Sequence, residues 1–141
     1  MIMDQMDHLV IKDACQAVSL RFGRLQDERR HDDLENLMTA DGIYVRLGEE
    51  LPVEAFIAWV KTTPPSKTRH FVTPTDFSLV EADHARGITY YTLYLYGGEE
   101  EAPYPLEGPF VVGEYLEEFV HADVGWKIAR REARIIFRQR K

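Results

Sequence analysis

A single cysteine, Cys15, stands among the 141 residues, so no disulfide can form within the chain. It falls on the apolar face of a helical pattern and reads as a small core residue. A reducing compartment fits, and cytoplasmic localisation is the expectation. No apolar run reaches the length that crosses a bilayer, so no membrane partner is expected. The acidic stretch Met1–Asp7 lacks the pattern of a secretory leader. Basic residues are outnumbered, 17 Lys and Arg against 24 Asp and Glu, for a net charge of −7. Phosphate backbones would repel such a chain, so no nucleic acid partner is expected. The nine glycines are scattered and form no phosphate-cradling loop. The five histidines show no metal-ligand spacing. Ser19, Ser66 and Ser78 carry no nucleophile signature. Neither a metal nor a cofactor is expected. Repeats and linkers are missing too, so residues 1–141 read as one domain.

What is present describes a globular chain with a real core: 45% hydrophobic and 29% charged residues. Ile11, Ala14, Cys15, Val18, Phe22 and Leu25 recur at three and four residues, which predicts an amphipathic helix from Asp7 to about Leu25. Asp32 can cap a short second helix that buries Leu34, Leu37 and Met38. Ile43 to Leu47 reads as a short strand and Gly48 to Leu51 as a turn. Pro52 suits the first position of a third helix, with Val53, Phe56, Ile57 and Val60 as its buried stripe. Thr62-Thr63-Pro64-Pro65 stops it.

The rest is β. Lys67 to Val80 and Arg86 to Tyr96 are rich in β-branched and aromatic residues and predict a long hairpin across Glu81-Ala82-Asp83-His84. Gly97 to Glu107, with three consecutive glutamates and two prolines, reads as an exposed, mobile loop. Val111 to His121 and Trp126 to Phe137 form a second hairpin. The basic run from Arg130 reads as an alternating strand with solvated charges. Segregated helices and antiparallel strands mean α+β. A strongly curved sheet with helices over one side would make a cone, with a pocket for a small ligand between them. On alternation Thr68, His70 and Val72 share one face of their strand.

Phe22-Gly23-Arg24-Leu25-Gln26-Asp27-Glu28-Arg29-Arg30-His31-Asp32-Asp33-Leu34, then Thr68-Arg69-His70-Phe71, then Gly125-Trp126-Lys127-Ile128, resemble the SnoaL-like branch of the nuclear transport factor 2-like (NTF2-like) superfamily. Within it the spacing is most similar to scytalone dehydratase and related polyketide cyclases. The resemblance implies an NTF2-like cone of curved sheet and about three helices. It also implies an acid–base pair at Asp27 and His70. Such a pair is chemically sensible: a carboxylate accepting a proton from one imidazole nitrogen leaves the other as a base. The same residues also fit a satisfied core histidine and a helix-terminal turn aspartate. The chain departs from the dehydratase pattern at Gln26 and Leu95, where a tyrosine and a second histidine would stand. Tyr44 is the nearest candidate for the tyrosine that polarises a carbonyl. The resemblance turns Thr89, Tyr91, Leu93 and Leu95 inward and Tyr90, Tyr94 and Tyr96 outward. Val72 follows His70 inward, Phe56 and Trp59 roof the pocket, and Tyr115 takes the place of a polar pocket residue.

Three functions remain open at this point. One is a cofactor-free lyase or isomerase acting on a small, cyclic or polyketide-like carbonyl compound through His70 and Asp27. Another is a non-catalytic cone that binds a small apolar or aromatic ligand. The third is a polyketide-cyclase-type aldol catalyst with the aspartate alone as base. The strand Gly87–Tyr96 is apolar on both faces, so Ile88, Tyr90, Thr92, Tyr94 and Tyr96, extended by Ile135 and Phe137, predict a homodimer through the outer sheet face.

Overall fold

The computed structural model describes residues 2–140. Helix α1 spans Gln5–Asp27 and buries Ile11, Cys15, Ser19, Phe22 and Leu25 against the sheet. Asp4 and Asp7 cap each other's backbone N–H groups at its start, a reciprocal box that satisfies two orphan donors. Its end is a Schellman turn. The Arg30 N–H donates to the Leu25 carbonyl and the Arg29 N–H to that of Gln26. Glycine usually fills the left-handed position of that turn, but here Arg29 adopts φ 55°. Its guanidinium offsets the strain by donating to the carbonyls of Thr63 and Pro64, at 3.0 and 3.2 Å.

Helix α2, His31–Glu35, is shorter than its pattern suggested. Arg30, not Asp32, occupies its cap, and no side chain caps it. Asp32 instead pairs with Lys61 at 2.9 Å. Met38 opens strand β1, Met38–Arg46, rather than closing a helix. The expected turn at 48–51 is mostly a strand, β2 (Glu49–Pro52), joined to β1 through the left-handed pair Leu47-Gly48. Pro52 is the N-cap of helix α3, Val53–Thr62, so the helix begins one residue later than its sequence suggested. The stripe Val53, Phe56, Ile57 and Val60 is buried as read.

The long arm of the first hairpin is two strands, β3 (Lys67–Val72) and β4 (Asp76–Val80), broken at Thr73-Pro74-Thr75. Both pair antiparallel with β5, His84–Tyr96. Strands β6 (Val111–Ala122) and β7 (Gly125–Arg138) complete a seven-stranded sheet, in the order β2-β1-β7-β6-β5-β3, with β4 also on β5. The β1–β7 pairing is parallel, so the sheet is mixed. It curves without closing, and the helices lie over its concave face. Bulges in β7, opposite Glu118/Phe119 and Val112/Gly113, help the curvature. No helix among the described residues is long and apolar enough to cross a membrane.

The 97–110 segment is largely exposed, but it is anchored. The Tyr104 ring stacks on Tyr96 at 5.2 Å. The Tyr96 hydroxyl donates to Glu100 Oε2 and accepts from the Glu100 N–H, at 3.1 and 3.2 Å. The loop therefore covers part of the tyrosine ladder assigned to the outer face. Ile135 is also displaced from that ladder, because it pairs with inward-facing Gly113; Phe137 reaches the outer face opposite Val112.

Candidate functional site

Asp27 is the last residue of α1, and His70 lies mid-way along β3. Three features bring them together. The Schellman turn fixes the helix end. Alternation points Thr68 and His70 to the concave side. Gly23, buried on α1, removes the side chain that would keep the helix away; a Cβ there would stand 3.3 Å from His70 Cβ. The His70 Nδ1 and Asp27 Oδ1 are 2.6 Å apart, and the side chains are 10% and 7% exposed. The His70 backbone N–H donates to Oδ2 and the Thr68 hydroxyl to Oδ1, both at 2.9 Å.

Burial pushes the Asp27 carboxyl up. The hydrogen bonds from the His70 ring and backbone, the His70 charge and the Thr68 hydroxyl outweigh it and hold the group below the usual carboxylate range. An ionised carboxylate only accepts, which places a proton on Nδ1; in the neutral ring Nε2 then carries the lone pair and is the base. Nε2 has no partner among the described residues.

The other expected residues divide between two apolar clusters. Tyr44 and Phe56 sit in the main core, their rings stacked at 3.9 Å, with Phe22 beside them. Tyr91 and Tyr115 form the second cluster, stacked at 4.1 Å with half-buried Val72 and Leu93 against them. Tyr91 can lie across β6 because Gly113 is beneath it; a Cβ there would stand 2.7 Å from its ring. His70 pairs with Leu93 and Val72 with Tyr91, so the dyad borders this second cluster. Trp59 stands at the rim of α3, with the Arg46 guanidinium 3.9 Å over its ring. Burial pushes the Tyr91 phenol up to about 12 and raises those of Tyr44 and Tyr115, against the pull of the Arg131 charge. All three stay neutral donors at neutral pH, and none has a hydrogen-bond partner among the described residues.

Arg131 corrects the reading of the basic run as solvated. Its side chain and that of Glu117 are both 0% exposed. The Nε and Nη2 groups donate to Glu117 Oε2 at 3.0 and 2.8 Å, and Nη2 also donates to Ser19. Ser19 and Thr89 donate to Glu117 Oε1 at 3.0 and 2.8 Å. The guanidinium is sandwiched between Phe22 and Tyr115, joining the two clusters. Burial alone would lower its pKa, but the Glu117 charge raises it, so it remains a cation.

Two surface clefts flank this interior. One, of about 620 Å³, opens between the 97–110 segment and the ends of β3 and β5, with Thr68, Leu95, Tyr96 and Tyr104 in its wall. Thr68, whose hydroxyl donates to Asp27, is thus among its lining residues. The second, about 560 Å³, is a trough on the outer sheet face, bounded by Phe71, Tyr90, Val112 and Phe137. Among the described residues no three His, Cys, Asp or Glu side chains gather as a metal site.

The fold is shared with several solved structures. A candidate scytalone dehydratase of Novosphingobium aromaticivorans superposes with a TM-score of 0.81 at 18% identity, covering 96% of this chain and 91% of that one. LinA superposes at 0.76 with 20% identity, covering 96% and 92%. An NTF2-like protein of Novosphingobium aromaticivorans gives 0.75 at 20%, covering 91% and 83%. At these identities the likeness establishes the NTF2-like cone and nothing finer. No curated protein matches the sequence. Residues 7–132 match the SnoaL-like domain family, nearly the whole chain, and the protein belongs to that family.

Proposed function

We propose that this protein is a cofactor-free lyase or isomerase of the dehydratase type, acting on a small, cyclic or polyketide-like carbonyl compound. The observation that carries this reading is the 2.6 Å contact between Asp27 and His70 with Nε2 left free. The aldol alternative needs an aspartate free of histidine, and that contact speaks against it. In the proposed step Nε2 takes a proton from the carbon beside the substrate carbonyl. The C–H electron pair becomes an enolate, and the imidazole becomes an imidazolium held by ionised Asp27. The enolate then expels a β-hydroxyl, which takes the proton from Nε2 and leaves as water. Tyr44, Tyr91 and Tyr115 are the proposed donors to the carbonyl oxygen. Phe56, Trp59, Val72 and Leu93 are its proposed apolar surroundings. The buried thiol of Cys15 suits the cytoplasmic setting proposed with this reading.

The reading is tested with β-tetralone in D₂O, following α-hydrogen exchange by proton NMR, and with β-hydroxycyclohexanone, following the enone absorbance. Wild type should catalyse one or both, and His70→Ala should lose about 10²–10⁴-fold. Equal rates for wild type and His70→Ala would reject it. The stacked aromatic interior favours the second reading, a ligand-binding cone without turnover. Aromatic ketone binding without exchange would select it.

A homodimer through the outer face is proposed alongside. Phe71, Tyr90, Ile136 and Phe137 remain exposed there, and neighbouring exposed apolar side chains of this kind favour an interaction surface. Sedimentation should give a dimer that Tyr90→Glu disperses. A monomeric wild type would refute it.

A further inference from the structure

We propose that Thr68 is a positioning residue of this site, holding Asp27 so that it orients His70 without accepting its proton. The inference rests on the catalytic reading above. Asp27 ends a 23-residue helix, where the macrodipole presents its negative pole and disfavours a carboxylate. Something must offset that. Strand β3 supplies three donors within three residues: the Thr68 hydroxyl, the His70 N–H and the His70 ring. Thr68 and the His70 ring share Oδ1, and the backbone N–H takes Oδ2. Contacts at both oxygens fix the plane of the carboxylate. Strand β3 is itself fixed, since Thr68 pairs with Leu95 and His70 with Leu93.

Sharing Oδ1 has a chemical consequence. Two donors occupy its two lone pairs. A proton moving from Nδ1 to Oδ1 would weaken the Thr68 hydrogen bond, because a protonated oxygen accepts less strongly than a carboxylate oxygen, so the Thr68 donor favours the ionised form. Asp27 therefore remains ionised while Nε2 gains and returns the substrate proton. Without Thr68 the aspartate would be a stronger base than it is with it, held by the two His70 donors alone. Thr68 also lines the cleft beside the loop.

The test compares Thr68→Val, which keeps the shape and removes the hydroxyl, with Thr68→Ser, which keeps the hydroxyl. The first readout needs no substrate. The Asp27 carboxyl is titrated by carbon NMR, and its midpoint should move up in Thr68→Val and stay at the wild-type position in Thr68→Ser. The second is kcat/KM for β-tetralone exchange against pH. Thr68→Val should lose about tenfold, the effect of one hydrogen bond to a charged group, with its acid limb displaced; Thr68→Ser should stay within about twofold on the same argument. A folded Thr68→Val with an unmoved Asp27 titration would overturn the proposal. So would a moved titration with unchanged kcat/KM and pH profile. Absence of wild-type exchange together with absence of β-hydroxycyclohexanone dehydration would instead overturn the catalytic reading and with it Thr68's catalytic role. The carboxyl titration would still decide whether Thr68 holds Asp27.

Discussion

Replacing Glu117 with alanine leaves Arg131 as a charge with no counter-charge, in a space no water reaches. Glu117 accepts four hydrogen bonds, two from Arg131 and one each from Ser19 and Thr89. The guanidinium cannot escape to solvent, because Phe22 and Tyr115 hold its faces at 4.1 and 3.9 Å. Breaking a buried pair by removing one partner costs about 3–5 kcal/mol, most of it the stranded charge. With a urea slope of about 2 kcal/mol per molar, a loss of about 4 kcal/mol lowers the unfolding midpoint by about 2 M. Glu117→Gln keeps the shape, removes the charge and turns one acceptor into a donor facing donors, and it serves if the alanine variant does not refold. The double variant Glu117→Leu with Arg131→Met removes both charges and should regain most of the loss, since well-packed apolar replacements of a buried pair are often neutral. A cost below about 1 kcal/mol for Glu117→Ala, the range of an exposed pair, would refute this account. Losses that simply add in the double variant would refute it equally, because residues in contact should couple.

Asp27 links stability to acid. Its carboxyl is held below its unfolded value, so its stabilisation is complete above the ordinary carboxylate range. It fades as pH falls through the lower folded value. Urea unfolding against pH should show this acid loss in wild type and a flatter curve in Asp27→Asn. Gly23→Ala gains helix propensity of about 1 kcal/mol but sets a Cβ 3.3 Å from His70 Cβ. The downfield proton resonance of the His70 ring should shift as the dyad opens; an unchanged resonance would show that the strand yields freely. Tyr96→Phe removes the clasp on Glu100, and a protease should then cut between 97 and 110 faster than in wild type. Equal cleavage would leave the Tyr104 stack as the effective anchor.

Most of the architecture could be read from patterns of apolar residues. The stripe of α3 and the concave face Thr68, His70, Val72 followed from spacing alone. The Asp27–His70 pairing did not: the residues are 43 apart in sequence, and only the resemblance joined them. What stayed hidden was hidden by breaks in phase. Counting alternately from Ile128 turns Arg130 inward and Arg131 to solvent. The bulge between the pairs Phe119–Ile128 and Glu118–Arg130 inserts Ala129 and reverses that order. Arg131 thus faces Glu117 in the core, where hydropathy would never place it. One signal was available. Glu117 lies midway in the inward series Tyr115, Glu117, Phe119, and a carboxylate there requires a buried cation or hydroxyls. The break at Thr73-Pro74-Thr75 is masked because the residues on either side share one β-forming composition.

Ser19 and Asp27 are eight residues apart on α1, about 12 Å along a helix axis, and they tie the helix to different parts of the sheet. Ser19 bonds the Glu117–Arg131 pair on β6 and β7, while Asp27 bonds β3. Between them Gly23 lets the helix settle onto His70. A rigid helix held at two points cannot slide or roll independently at either. The buried ion pair thus fixes the distance at which Asp27 meets His70, although its charged groups bond neither residue of the dyad. This gives the pair a structural reason to persist in a core where apolar residues of similar volume would be equally stable: it sets the register of a helix whose last residue must meet a histidine on a separate strand.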